Sequence, residues 1–450
     1  MKSFGLIVVM GLATTLTAAE NVSYYNQVRP IIQKSCSGCH QPANKLGGLV
    51  LTEFPAILKG GAKNGAAVRA GAPAESPLIS YLTGKSEPRM PMGGQPLPAA
   101  EIEMLEAWIN EGAVDDTPAE ARAPQVPKEP PTYRQPPVVT AIAYSPDGKL
   151  LAVGGYREVL LHRADGSKIE ARLLGRAEKI HSVAFTSDGS KLIAVGGSPV
   201  RFGEIQVWDV AKRKLERSIL ATNDTFFGGS VSPDGTKVVV GCTDNTVRMY
   251  DLATGEELFK AGHHEDWVLA TSFGIDGKRI VTVGRDRAAK LADADTGAFR
   301  ENVNLLRDGL NAIVRHPRRD YVLIGGEDRV PYLYMMDRPR ALKIADDSTL
   351  VKQYEEQKSR IHALEFSPDG GWFAVGGMSD EVPIYNAETG ERQATLSDLP
   401  PGTFVIRSAP DGKTVAVAGF DGNVRLFNPA DGTLVKKFTP VPISASEAAE

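Results

Sequence analysis

Ser145-Pro146-Asp147-Gly148 decides the fold, because it comes back down the chain. Related turns follow at Ser187-Asp188-Gly189, Ser232 to Gly235, Ile275-Asp276-Gly277, His316-Pro317-Arg318, Ser367 to Gly370 and Ala409 to Gly412, about 41 to 51 residues apart. A short apolar run precedes each turn, as in Ile180 to Phe185 and Ile361 to Phe366. A second run, ending in glycine, follows it, as in Leu192 to Gly197 and Phe373 to Gly377. A third closes on an aromatic residue and aspartate (Ile205 to Asp209, Val247 to Asp251), and a more polar fourth comes last (Leu258 to Ala261). Four short strands per unit at this period predict a β-propeller, and seven units predict seven blades.

The blades resemble WD repeats, with Trp208-Asp209, Tyr250-Asp251 and Gly262-His263 as the nearest signatures. The last unit carries its own fourth strand, Thr433 to Phe438, so the N-terminus need not lend one. Asp244, Asp286, Asp328, Asp380 and Asp421 recur in the second hairpins, where a repeated acid reads as a turn-fixing acceptor. His181 and His362 read as structural or channel-lining, His263-His264 as a repeat signature, and Cys242 as a small buried residue. Charged sequence at about 346–359, placed between the fifth and sixth blades, and an excess at 198–203 are expected on one face, as a docking surface.

Ahead of the repeats stands Cys36-Ser37-Gly38-Cys39-His40. Two thiols two residues apart with an imidazole directly after them are what covalent attachment and ligation of one c-type haem require. Cys36 and Cys39 would add to the two vinyl groups, and His40 would ligate the iron. The second axial ligand is expected from Met90-Pro91-Met92, with Met90 preferred and Met92 its competitor, because a thioether raises the potential and suits electron transfer. Tyr24, Tyr25, Val28, Ile31 and Ile32 form an apolar helical stripe that Pro30 interrupts. Ile102, Leu105, Trp108 and Ile109 form another, with Met104 and Trp108 read as packing. Together with Val28-Arg29-Pro30, Leu46-Gly47-Gly48-Leu49, Gly60-Gly61, Ser76-Pro77-Leu78 and Glu111-Gly112-Ala113, these motifs resemble the planctomycete-type cytochrome c domain. That resemblance implies haem binding and electron transfer. Lys63 and Arg69 read as solvated surface charges, with pairing to haem propionates as the other reading.

The expected organisation is therefore a signal peptide (1–19), a small all-α c-type cytochrome domain (20–116), a Pro-rich linker (117–137), a seven-bladed propeller (138–438) and a loose tail (439–450). Lys2, the apolar run Phe4 to Leu12 and Thr17-Ala18-Ala19 have the layout of an export signal, and the run is too short for a membrane span. Export suits haem attachment and predicts a periplasmic protein. A net charge of -4 gives no reason to invoke nucleic acid. Three cysteines, two of them in the haem motif, exclude a disulfide scaffold. No nucleophile or base motif stands out, so the expected function is electron transfer, with the propeller docking a redox partner protein. The alternatives are a cytochrome–propeller oxidoreductase and a haem-based sensor.

Overall fold

The computed structural model describes residues 21–41, 44–118, 125–336 and 347–444. The expected signal peptide lies outside them, as do parts of the linker and the end of the tail. No helix among the described residues is long and apolar enough to cross a membrane. The chain divides into two compact units at 124/125.

The first unit opens with a π-helical turn, Tyr24–Val28, in which Ser23 Oγ accepts the Asn26 N–H at 3.0 Å. It runs into α1 (Arg29–Ser35), so the break expected at Pro30 is met by a change of helix type just before that residue. Then come strands β1 (His40–Gln41) and β2 (Asn44–Lys45), and helices α2 (Phe54–Lys59), α3 (Pro77–Leu82) and α4 (Ala99–Asn110). This corrects the all-α expectation. The helices are mostly short, a two-stranded ladder interrupts them, and turns and loops make up much of the middle segment. The physical reason is the density of glycine and proline there, which breaks helices and favours tight turns. The helices converge on one core. Trp108 is buried, stacks on Tyr24 at 5.4 Å, meets Phe54 edge-on at 6.3 Å, and donates from Nε1 to the Val114 carbonyl at 3.0 Å.

The second unit is a seven-bladed propeller. Its seven sheets each hold four antiparallel strands in chain order, over 142–174, 179–221, 226–261, 268–302, 310–353, 361–396 and 403–438. The second strand of each blade is apolar on both faces because it is sandwiched between neighbouring blades, as the full burial of Leu151 to Gly154 shows. Outer strands such as Lys214–Ala221 are polar and partly exposed. The repeated turn closes on itself. Ser145 Oγ donates to Asp147 Oδ1 at 2.6 Å and accepts the Leu150 N–H at 2.9 Å, while Gly148 takes the positive φ of 69° that the turn needs. Thr186, Ser232 and Ser367 repeat this arrangement. In blade 5, His316 takes the role, with Nδ1 accepting from the Arg318 and Arg319 N–H groups at 3.1 and 3.0 Å.

Every blade, the last included, is built from continuous chain. Side chains close the ring. Val139, Ile142, Leu151 and Val153 of blade 1 pack with Val405, Ala416, Val424 and Leu426 of blade 7, and the Val139 N–H donates to the Gly419 carbonyl at 3.0 Å. A clasp reinforces blade 1. Tyr133 from the linker forms a parallel bridge with Ile443, and its hydroxyl donates to buried Glu158 at 2.7 Å. Arg172 reaches the same carboxylate from Nε at 2.7 Å and Nη2 at 2.6 Å, and the Pro131 carbonyl at 2.7 Å. Val441 is buried beside Tyr133. The expected loose tail is thus tied down as far as Ser444, whose N–H donates to the Tyr133 carbonyl at 2.9 Å.

The expected insertion at 346–359 is also corrected. Leu350–Gln353 is the outer strand of blade 5, with Tyr332 paired to Gln353. The chain between 335 and 350 therefore connects the third and fourth strands of blade 5 and does not link two blades; its residues 337–346 lie outside the described ones. Burial alternates along the strand, with Leu350 and Lys352 half-buried and Val351 and Gln353 exposed, while its residue types (two apolar, then two polar) do not follow that alternation and leave the strand unmarked in the sequence.

Two outcomes follow. Glu158→Ala leaves Arg172 and Tyr133 without their shared acceptor. It should cost about 3 kcal/mol, read as a lower urea midpoint for the propeller, and should speed proteolysis near 125–135. Separately, burial lowers the pKa of His162 and of His181 from 6.5 to about 4. The folded state keeps both neutral while the unfolded chain protonates below pH 6.5. Stability is therefore full above pH 6.5 and falls as pH drops towards 4. His162→Phe should remove about 1.4 kcal/mol per pH unit from that slope, measured by urea unfolding at pH 4.5 to 7.

Candidate functional site

α1 ends where the two thiols begin. The Cys36 N–H makes the last helical bond, to the Ile32 carbonyl at 2.9 Å. The Cys39 and His40 N–H groups then both donate back to the Cys36 carbonyl, at 3.2 and 3.0 Å, closing a tight turn over 36–40. Cys36, Cys39 and His40 accordingly line one cavity of about 450 Å³, within the range of small-molecule and cofactor sites. Its walls are apolar, formed by Leu49, Leu51, Leu78 and Leu82 among others. The strand β1 is anchored from outside by the Leu51 N–H, which donates to the His40 carbonyl at 2.8 Å.

Among the described residues the His40 ring meets the Leu46 carbonyl, at 3.1 Å from Nδ1. A carbonyl can only accept, so Nδ1 carries a proton, and the neutral tautomer compatible with this bond has its lone pair on Nε2. That bond favours the tautomer that a metal-ligating imidazole needs. Burial, and then the neighbouring Cys39, push the Cys36 thiol up to about 11, so the unmodified residue stays a thiol at neutral pH. Cys39 is exposed.

Met90 and Met92, some fifty residues downstream, line the same cavity. The Met90 N–H donates to the Tyr81 carbonyl at 3.0 Å, which pins the loop to the end of α3. Met90 is half-buried against the core, whereas Met92 is 65% exposed. The burial favours Met90 as the donor. Two thiols, an imidazole whose Nδ1 is the hydrogen-bonded nitrogen, a thioether from a separate segment and apolar walls together form a donor set that fits a covalently held macrocycle with one iron.

The remaining candidates are spread elsewhere. Trp108 and Met104 belong to the core. Arg69 pairs with Glu75 at 3.3 Å, while Lys63 lines the cavity. Asn64 and Tyr81 also line it, and the sequence reading missed both. The available signal for Tyr81 was its place after Leu78 and Ile79 on one short helix.

In the propeller, Asp244, Asp286, Asp328 and Asp421 each accept a nearby backbone N–H, as turn-fixing acids do. His264 is buried between Asp286 at 2.9 Å and Thr282 Oγ1 at 2.8 Å, and His263 contacts the Gly297 carbonyl at 2.6 Å. His181 and His362 pack edge-on against Phe227 and Phe404. Cys242 is buried and its thiol is pushed up to about 12.

Comparison with known proteins finds two families. The model for planctomycete cytochrome C matches residues 36–92, the span from the first thiol to the second methionine. The model for the WD domain, G-beta repeat, matches 131–161, 228–251 and 348–386. Autophagy-related protein 16 of Arabidopsis thaliana is 24% identical over 213 residues, covering 46% of this chain and 41% of its own. Subunit I of eukaryotic translation initiation factor 3 of Aspergillus oryzae is 29% identical over 157 residues, 33% of this chain and 47% of its own. A guanine nucleotide-binding protein subunit beta-like protein of Encephalitozoon cuniculi is 22% identical over 282 residues, 56% of this chain and 82% of its own. The chain spans less than half the length of the first two. Repeat matches in blades 1, 3 and 6, set within seven consecutive four-stranded sheets, make the larger unit of this chain a WD-repeat propeller.

Proposed function

We propose that the chain is an exported mono-haem c-type electron-transfer protein whose propeller docks a redox partner protein in the periplasm. The observation that carries the reading is that Cys36, Cys39, His40 and Met90, from two distant segments, line one and the same apolar cavity. A bound c-type haem supplies reversible one-electron exchange at its iron. Cys36 and Cys39 would hold it covalently, and His40 Nε2 and the Met90 thioether would ligate its iron. The leucine walls exclude water, and with the thioether this favours a raised potential.

The docking part of the reading rests on an asymmetry between the two propeller faces. Tyr156, Val200, Trp267, Leu306, Met378 and Phe420 are all exposed large apolar side chains, and all lie on second-to-third or fourth-to-first strand connections. Those connections emerge on one face. Among the described residues, the turns of the other face expose Ile275 alone from this class. A concentration of apolar side chains on one face suits contact with another protein. Two of the relatives are themselves named as subunits, which fits the same reading.

Protein purified from the periplasm of a host that attaches c-type haem should carry one covalent haem per chain. Met90→Leu should abolish the methionine–iron charge-transfer band and lower the midpoint potential, whereas Met92→Leu should keep both. A periplasmic chain carrying no covalent haem would refute the reading.

A further inference from the structure

The Gly60–Gly65 stretch has a built shape that the function above leaves unused. The Gly61 N–H donates to the Gly65 carbonyl at 3.1 Å, and the Ala62 N–H to the Gly47 carbonyl at 2.9 Å. A Cβ on Gly60 would lie 1.5 Å from the Gly65 carbonyl oxygen, and one on Gly61 would lie 2.8 Å from that of Gly47. Gly60 also has a φ of +77°. Only glycine lets these two loops nest. The nesting holds the hairpin tip beside the cavity, where Lys63 and Asn64 join the lining. Asn64 Nδ2 donates to the Tyr81 hydroxyl oxygen at 2.9 Å, which leaves the phenol proton free to be donated elsewhere. Among the described residues, Lys63 is the one lysine or arginine in the lining and Glu87 the one carboxylate. It has no acidic partner among the described residues, unlike Arg69 with Glu75.

A c-type haem carries two carboxylates on its periphery, away from the thioether links. In walls this apolar, those charges must meet donors or water. We propose that the 60–65 hairpin is the subsite that receives them, with Lys63 supplying charge and Asn64 and Tyr81 supplying hydrogen bonds. The assignment rests on the haem reading of the same cavity, and it gives the two glycine motifs of this region a purpose: Gly47 anchors the hairpin that Gly60 and Gly61 allow.

The test is the midpoint potential of the full-length haem-loaded protein, titrated against pH. A facing cation lowers a carboxylate's pKa, so Lys63→Met should move the acidic inflection up by about half to one pH unit. It should also lower the potential, because the oxidised centre loses a repelling charge. Both changes should shrink at high ionic strength. Lys63→Arg should retain the wild-type curve, and Arg69→Met, outside the cavity, should superimpose on it. Lys63 is exposed, so its replacement leaves the core intact. A haem-loaded Lys63→Met protein with an unchanged curve would overturn the subsite and leave the haem reading standing. A wild-type chain without covalent haem would remove both.

Discussion

Each propeller sheet is apolar on both faces, so no blade can stand without a neighbour on either side. This constraint governs the larger unit. Stacking six sheets still leaves two apolar faces open, and only closing the ring buries them. Here closure has no strand shared between first and last blades, so the seam depends on side chains. Val139 and Ile142 meet Val405 and Leu426, and one backbone bond crosses from Val139 to Gly419. The Tyr133–Glu158–Arg172 network then ties both ends of the propeller chain to blade 1. Its desolvated charges are satisfied from several directions, which is the condition under which a buried pair stabilises instead of costing.

The N-terminal unit solves a different problem. Its buried apolar residues gather into one core. Its packing is concentrated where the Tyr24–Val28 turn, α2 and α4 meet around Trp108. The other side of the unit is given to the cavity, walled by leucines on short segments and by glycine-built loops. Short helices follow from this division. A long helix would need a continuous apolar stripe facing protein, whereas these segments face protein on one side and the cavity on the other.

Much of this was legible because it is local. The Ser145–Gly148 turn and its returns encode strand number and blade number, since each turn carries its own hydrogen-bonding groups. The Cys36, Cys39 and His40 donors are adjacent in the chain, so their shared orientation follows from one tight turn. The outer strand of blade 5 was misplaced because a half-exposed strand has little hydrophobic signal to mark it. Asn64 and Tyr81 escaped notice because nothing near them in the chain names a common purpose.

The sequence by itself determined the period, the number of blades, the independence of the last blade and the donor types available for a cofactor. Those features depend on residues within a few positions of one another. Tertiary structure decided that Met90 shares a cavity with His40 and is more deeply placed than Met92. It decided that Lys63 lines that cavity while Arg69 pairs outside it, and that Tyr133 and Ile443 clasp blade 1. Each of those outcomes depends on which distant segments pack together, and burial at such contacts is set by the whole fold.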